Sequence, residues 1–406
     1  MKTIVGAMIV LLLLHTNNLM AQKNQTDTVV STPKKKWYET INLRGYMQVR
    51  YNRLLETNEN LKCEQCDRSW GKSGGFAIRR GRLILSGDLT KNVYFYIQPD
   101  FGSSIGTTQN IFQVRDAYLD IGFDKKNEFR LRVGQSKVPY GFENMQSSQN
   151  RLPLDRNDGL NSAVSNERDL GAFFYWAPST VREQYPVFIN DNRKGSGDYG
   201  VFAFGVYNGQ TANRPEQNKK VHVVSRLSYP FKINKQIIEP GIQAYAGEYV
   251  LPAEFRTSGV KAANDFAFRD ERAAVSLHLY PNPIGVLTEY NVGRGPQYNP
   301  LTDSIETKNL KGGYATVYAR FQSKKKKEMF FFPYTRVQHY EGGKKHELDA
   351  RSYNVKEIEM GLEWQVNKNF ELTTAYTISS RRFEDSKLRD NFQTGRLLRI
   401  QAQLNF

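Results

Sequence analysis

The chain ends on LRIQAQLNF, residues 398–406, in which apolar and polar side chains alternate. Leu398 and Ile400 fall on one face of an extended strand, and Arg399 and Gln401 fall on the other. Because successive side chains point to opposite faces, this pattern predicts a strand between an apolar and a polar medium. The apolar medium is the core of a soluble protein, or the lipid around a membrane barrel with a water-filled lumen. The rest of the chain has to decide between the two.

The same alternation recurs along most of the chain. Segment 93–101, VYFYIQPDF, alternates in this way. Segment 356–366, KEIEMGLEWQV, sets Glu357, Glu359 and Glu363 opposite a row of apolar residues, which suits a polar lumen better than a packed core. We count about 16 such segments, and at that number a barrel encloses an aqueous channel instead of a packed interior.

The connections between these segments alternate in length. Tight turns are predicted at 90–92, 124–127, 282–283, 324–327 and 367–369. Long loops are predicted at 53–74, 139–168, 209–218, 250–264, 294–310, 342–352 and 382–392. Residues 179–198 break the rule, because they are too long for the side of the short turns. The pattern predicts an all-β fold, a transmembrane antiparallel barrel with short periplasmic turns and long external loops.

The N-terminus has the features of an export signal. Lys2 precedes an apolar run at 4–14, and Ala21 offers a small residue at the expected cleavage point. An N-terminal anchor helix is the alternative, but the run is short for an ordinary membrane span. We therefore predict a signal peptide over 1–21, a flexible periplasmic leader over 22–38 and a barrel over 39–406, located in a Gram-negative outer membrane.

Composition narrows the range of partners. Aromatic residues make up 13% of a chain that is 24% charged, which fits aromatic girdles around a polar lumen. The net charge of +16 favours nucleic acid, anionic lipid or an anionic solute. We expect no nucleic-acid partner, since the chain is exported and shows neither a compact basic helix nor a single-strand-binding module.

The chain has two cysteines, Cys63 and Cys66, within CEQCDRSWG. Such a pair is a redox couple, half of a zinc site or a local disulfide. The five histidines are scattered and there is no second cysteine pair, so we expect no metal. In an oxidising compartment we predict a disulfide between Cys63 and Cys66 that stiffens an exposed loop.

Catalytic motifs are missing from the sequence. No HExxH or GxSxG is present, and GRGPQYNP at 293–300 lacks the spacing of a phosphate-cradling loop. We therefore expect no catalytic residue, no cofactor and no enzymatic activity.

Two segments carry a resemblance to a known family. FAIRRGRLILSGDLTKNVYFYIQPDFG at 76–102 and FRLRVGQSKVPYGFE at 129–143 resemble the phosphate-selective porin O and P family. Further similar stretches lie at 115–123, 168–176, 288–300, 363–382 and 396–406. The resemblance covers 39–406 and implies a 16-stranded barrel, often a trimer in this family, that passes anions by diffusion. It also implies a long third loop folded into the channel, and the loop at 139–168 is in the right place.

The resemblance directs attention to basic residues of the lumen. Arg80 and Arg82 lie on the strand that matches the family's arginine-rich strand, and alternation places both inward. Arg79 lies near the loop end, where we expect it to snorkel or to sit at the rim. Lys137 matches the family's lysine at the mouth of the third loop. The full set of predicted anion-binding residues is Arg80, Arg82, Arg130, Arg132, Lys137, Arg226 and Arg399.

Cationic side chains that line a pore replace part of an anion's hydration shell, and guanidinium groups match phosphate oxygens with forked donors. We therefore expect small phosphate-like anions as solutes, outer-membrane lipid around the barrel and a homotrimer. The competing interpretation is that these cations balance lumenal acids such as Asp88, Asp116 and Asp120.

Two other functions remain open from the sequence. The first is a barrel that acts mainly as a surface adhesin or partner-binding protein, with weak or no ion selectivity, which the tyrosine-rich loops and the cysteine-bearing first loop suggest. The second is a soluble exported β-protein. Heat-modifiable migration on a gel separates a barrel from a soluble protein, and single-channel conductance separates a porin from an adhesin.

Overall fold

The computed structural model describes residues 36–65, 67, 70–105 and 108–406. The predicted signal peptide and most of the predicted leader lie outside these residues, so both remain predictions. Within the described part of the chain, no helix is both long and apolar enough to span a membrane. A single helical turn, Trp37–Thr40, precedes the first strand.

Sixteen long strands close into one antiparallel barrel over the described residues, which confirms the predicted fold class. Three further segments of two or three residues, Phe231–Ile233, Lys261–Ala262 and Phe321–Gln322, extend the sheet. The long strands are β1 (Asn42–Leu54), β2 (Phe76–Thr90), β3 (Val93–Ile105), β4 (Thr108–Gly122), β5 (Phe129–Lys137), β6 (Arg168–Trp176), β7 (Phe202–Tyr207), β8 (His222–Ser228), β9 (Gln236–Val250), β10 (Ala267–Leu279), β11 (Ile284–Asn299), β12 (Ser304–Ala319), β13 (Phe330–Gly343), β14 (Ser352–Gln365), β15 (Phe370–Glu384) and β16 (Phe392–Asn405).

The terminal strands close the barrel. β16 pairs antiparallel with β1, with Gln403 opposite Gln48. The backbone N–H of Gly45 donates to the carbonyl of Phe406 at 2.7 Å, so pairing continues to the last residue. Arg399, Gln401 and Gln403 are buried toward the lumen, as the alternation predicts. Closure leaves no unpaired sheet edge, which is the condition for strands to cross lipid.

The outward face of the barrel is apolar. Leu85, Ile97, Leu119, Val133 and Ile358 are all exposed large hydrophobic side chains on long strands. In a soluble protein such a band would face water at high cost, whereas here it faces the hydrocarbon of the membrane. Polar and charged residues on the same strands point to the lumen, where most of them are buried by loops that fold inward.

The connections follow the predicted alternation with two exceptions on the external side. β3 and β4 are joined there by only two residues, 106–107. Residues 294–310 do not form a long loop, because β11 and β12 remain paired in register out to Asn299 and Ser304. The turn residues Gly, Pro and Asn of this segment suggested a loop, but the two strands remain paired there as one long hairpin. The predicted exception on the periplasmic side is confirmed: residues 177–201 contain two short helices, α3 (Ser179–Arg182) and α4 (Gln184–Asn190).

Four connections fold into the barrel and are named here for later use. L1 (residues 55–75), L3 (138–167) and L7 (344–351) come from the external side, and T3 (177–201) comes from the periplasmic side. L3 carries two short helices, α1 (Phe142–Met145) and α2 (Asp158–Asn161). These segments, and not the barrel wall alone, shape the remaining space inside the lumen.

Candidate functional site

L3 stays inside the lumen because lumenal side chains satisfy its backbone. Lys137 donates its ammonium to the carbonyls of Met145 and Gln146, at 2.7 and 2.9 Å. The carboxylate of Glu289 on β11 accepts the backbone N–H groups of Phe142 and Glu143, at 2.7 Å each. A loop placed away from bulk water needs such partners for its polar backbone groups. Charged residues of the wall therefore position L3.

The far end of L3 is held by ion pairs. Asp155 pairs with Arg50 at 3.1 Å and with Arg399. Asp158 pairs with Lys344 of L7 at 2.5 Å and with Arg381 of β15 at 3.0 Å. Burial favours the neutral form of Asp158, but these two cations outweigh burial and lower the pKa of its carboxyl to about 2. L3 is thus anchored on both sides of the barrel.

A cluster of arginines surrounds a small cavity beside L3, called the first chamber here. Its volume is about 30 Å³, which is room for only a few water molecules. One carboxylate, that of Glu167, lines it together with three amide side chains. The guanidinium groups that line it belong to Arg79, Arg80, Arg82, Arg115 and Arg156.

The position of Arg79 differs from the sequence prediction. The register between β1 and β2 shifts at this point, so that Gln48 faces Arg80 while Val49 faces Ile78. At this bulge the side chain of Arg79 turns inward, and its guanidinium lies 3.6 Å from the carboxylate of Asp155. Arg79 therefore lines the first chamber instead of sitting at the rim.

The arginines of the first chamber differ in their partners. Arg82 and Arg115 share the carboxylate of Asp100, at 2.8 and 3.3 Å. Arg80 donates to the amide oxygen of Gln48 at 2.8 Å, and no carboxylate among the described residues forms an ion pair with it. Positive charge therefore exceeds negative charge around this cavity.

A second, larger cavity lies toward the periplasm and is called the second chamber here. Its volume is about 440 Å³. Arg130, Arg132, Lys137 and Arg168 line it from the wall and from the neck of L3. Arg132 binds Asp120 through two N–H groups and lies over the ring of Tyr118, with 3.9 Å from its guanidinium carbon to the ring centre.

A layer of ion pairs separates the two chambers. Glu167 lines the first chamber and its neighbour Arg168 lines the second. Arg168 binds Glu167 and Asp116, at 2.9 Å each, while Glu167 also binds Arg156 at 2.8 Å. Burial alone would raise the pKa of Glu167, but Arg156 and Arg168 hold it well below its usual range. The layer between the two chambers is therefore charged on both sides.

The model of the family described as "Phosphate-selective porin O and P" matches residues 60–406. The chain belongs to this family. It is an outer-membrane porin for anions and not an enzyme. A comparison with curated proteins finds no match.

Solved structures share the fold of this porin at low sequence identity. The outer membrane channel DcaP of Acinetobacter baumannii is 13% identical, with a TM-score of 0.56 over 90% of this chain and 97% of its own. An anion-selective porin from Comamonas acidovorans is 10% identical, with a TM-score of 0.53 over 90% and 99%. Salmonella typhi OmpF in complex with daunomycin is 15% identical, with a TM-score of 0.51 over 90% and 97%. These likenesses show the fold alone.

The structure divides the predicted anion-binding residues of this porin into three groups. Arg80 and Arg82 line the first chamber, and Arg130, Arg132 and Lys137 line the second. Two others face the lumen but line neither chamber. Arg226 binds Glu239 at 3.3 Å and the carbonyl of Gly200, and Arg399 binds Asp155 and Glu359.

Sequence reasoning missed Arg115, Arg156 and Arg168. Arg115 and Arg168 each precede an aspartate, and on the sequence both lie at the irregular ends of alternating segments, where the face of a residue is uncertain. Arg156 lies within L3, where no periodicity indicates direction. The sequence signal that could have identified Arg168 as a site residue is its position directly after the third loop.

The first loop is less exposed than the sequence suggested. Cys63 is only 1% exposed, and Arg381 donates to its sulfur at 3.2 Å. The ring of Trp70 lies beside two wall arginines, Arg381 at 5.3 Å and Arg399 at 4.8 Å, so L1 packs onto the lumen side of β15 and β16. Cys66 lies outside the described residues, and its pairing with Cys63 remains a prediction.

Proposed function

We propose that this porin favours phosphate-like oxyanions, including polyphosphate, over chloride, and that Arg80 and Arg82 carry this preference. The observation that supports the proposal is the first chamber, where the described lining residues bring five guanidinium groups to a single carboxylate. Arginine presents paired N–H donors that match two oxygens of one phosphate, whereas chloride offers no such pair.

The size of the effect follows from charge and distance. A unit charge about 6 Å from an anion contributes roughly 3 kcal/mol at an effective dielectric constant near 20. The anion also loses water in a chamber this small, so we expect about 1 kcal/mol of net preference from Arg80 and Arg82 together, which is a several-fold change in occupancy. Arg82 is paired with Asp100 and Arg156 with Glu167, which weakens the attraction of these arginines for an anion. The weaker attraction lets the anion leave again.

The second chamber continues the route with a weaker bias. Arg130 and Arg132 line it, but Asp120 and Asp198 neutralise much of their charge. Lys137 donates two of its three N–H groups to carbonyl groups of L3, so we assign it mainly to positioning L3 at the mouth of the chamber. Arg226 and Arg399 have the same kind of positioning role.

We also propose that the porin is a homotrimer whose contacts involve β6 to β8. β7 has six residues and β8 has seven, which is fewer than the about 9–11 residues that cross a bilayer. Three apolar side chains on this part of the barrel wall are 44–51% exposed, namely Leu170, Phe204 and Leu227. A partner barrel would cover these exposed apolar side chains on the side of the barrel where the strands are short.

The test of the preference is the double change Arg80→Ala with Arg82→Ala. We expect the anion-to-cation permeability ratio to fall several-fold and the block of chloride current by added phosphate to weaken, because two of the five guanidinium groups are gone. The measurement is planar-bilayer recording of reversal potential, followed by phosphate titration in potassium chloride.

The matched control for this double change is Arg269→Ala. Arg269 is exposed on β10 and lines neither chamber, with 62% of its side chain accessible. An unchanged phosphate block in the double variant, with the barrel assembled, would contradict the assignment of Arg80 and Arg82.

A further inference from the structure

T3 is a periplasmic connection that crosses the lumen of the barrel. We propose that T3 is a second constriction, separate from L3, and that the ion pair between Lys194 and Glu363 sets the largest solute that the porin admits. This inference concerns the route and the size limit, and it does not depend on any preference for phosphate.

The near end of T3 is fixed to the wall that it leaves. Tyr185 and Phe188 of α4 pack with Tyr280 and other apolar residues in one buried cluster. Arg182 donates to the carbonyls of Lys126 and Asn127 in the neighbouring periplasmic turn, at 3.0 and 2.6 Å. These contacts hold the base of T3 at the periplasmic end of the barrel.

The far end of T3 reaches the opposite wall. The Lys194 ammonium lies 2.6 Å from the Glu363 carboxylate on β14 and 4.3 Å from the centre of the Phe332 ring on β13. Lys194 is 4% exposed and Glu363 is 1% exposed. A buried ion pair of this kind loses much more than a surface pair when one partner is removed, because the other charge remains buried.

T3 also contacts L3 from below. The side-chain amide of Gln146 in L3 donates to the backbone carbonyl of Lys194 at 2.7 Å. The two inward segments therefore meet in the lumen, one from each side of the membrane. Any solute has to pass beside this contact.

T3 divides the periplasmic half of the lumen because its two edges face different walls. Ser196, Asp198 and Tyr199 line the second chamber, next to the cationic strands β4 to β6. Arg193 and Lys194 face the other way, toward β12 to β14, where Tyr318 donates to the carbonyl of Arg193 at 3.5 Å. T3 does not fill the lumen on the side of β4 to β6, and the space that remains there is the second chamber.

The wall that T3 covers is acidic. Glu363 and Glu371 lie there, with 1% and 6% of their surfaces exposed. If T3 left this wall, solutes would gain a wider route lined by carboxylates instead of arginines. T3 thus keeps the route narrow and confines it to the basic side.

The test is Lys194→Ala, with Glu363→Gln as an independent second variant that keeps the size of the side chain. We expect single-channel conductance to rise by about twofold, which is the change that two parallel routes of similar width would give in place of one. We also expect larger neutral sugars to enter in liposome swelling, where charge selectivity plays no part. Lys325→Ala, in an exposed periplasmic turn, is the matched control.

Exchange of the two charges, Lys194→Glu with Glu363→Lys, should restore conductance and size limit toward those of the unmodified porin. Wild-type conductance and sugar exclusion in an assembled Glu363→Gln or Lys194→Ala variant would overturn the proposal. A changed size limit with unchanged phosphate block would support T3 as a constriction whatever the fate of the proposed anion preference.

Discussion

Among the arginines of the first chamber, Arg80 has the simplest environment. Its guanidinium donates to one neutral amide, while Arg82 shares a carboxylate with Arg115. An arginine bound to a neutral partner keeps its full charge available to a passing anion, so we expect Arg80 to contribute more to selectivity than its paired neighbours.

Asp158 gives a prediction at the scale of one residue. Its carboxyl holds L3 through Lys344 and Arg381, and these cations lower its pKa to about 2. A carboxyl with a lowered pKa contributes stability above its unfolded value of about 3.9, and this contribution is lost as the pH falls through the folded value. We expect steady conductance from pH 7 to 4 and unstable, noisy conductance near pH 2.

Asp158→Asn should produce the same unstable conductance already at pH 7, since it removes the charge that the two cations bind. Asp265→Asn, in the external loop 251–266, is the control. Quiet single-channel currents for Asp158→Asn at pH 7 would show that the other contacts of L3 are sufficient.

Alternation along the strands predicted the direction of Arg80, Arg82, Arg130 and Arg132, because a regular strand leaves no freedom in which face a residue occupies. It failed at Arg79, where a bulge shifts the register by one residue. It could not distinguish a lumenal residue that lines the route from one that anchors a loop, as Arg399 does. That distinction depends on L1, L3 and T3, whose inward course has no periodic signal in the sequence.

At the scale of elements, the strands were predictable and the inward segments were largely not. The alternation of short turns and long loops placed L3 and marked T3 as too long for a periplasmic turn. It did not show that T3 enters the lumen, since that depends on Tyr185 and Phe188 packing on the wall and on Lys194 meeting Glu363. The hairpin of β11 and β12 was misread because turn-forming residues occur inside paired strands.

The short strands give a prediction about assembly. Phe204 on β7 is 45% exposed on the proposed trimer side. Phe204→Ala should weaken the contact by about 1–2 kcal/mol, because a large apolar side chain at an interface is lost. We expect the trimer band on unheated gels to disappear at a lower temperature, while the monomeric barrel keeps its heat-modifiable migration.

Val292→Ala is the control for assembly, because Val292 is 50% exposed on β11, on another part of the barrel. An equal loss of the trimer in both variants, or in neither, would argue against β6 to β8 as the contact.

At the scale of the whole molecule, charge is distributed unevenly around the barrel. The first and second chambers both lie beside β2 to β6, where cations exceed acids among the lining residues. Glu357, Glu359 and Glu363 on β14 are bound to Arg381, Arg399 and Lys194, so the glutamates that the sequence showed facing inward are neutralised. The described residues that line the two chambers therefore carry a net positive charge along this wall, which is the arrangement that an anion route requires.

The reversal potential of the unmodified porin in a planar bilayer, under a tenfold gradient of potassium chloride and then of potassium phosphate, tests this account most directly. If the route is confined to the basic wall, the reversal potential in both salts should have the sign expected when anions pass more readily than potassium. The chloride current should also fall as phosphate is added. A reversal potential set by potassium would contradict it, because the arginines of the two chambers would then not control which ions pass.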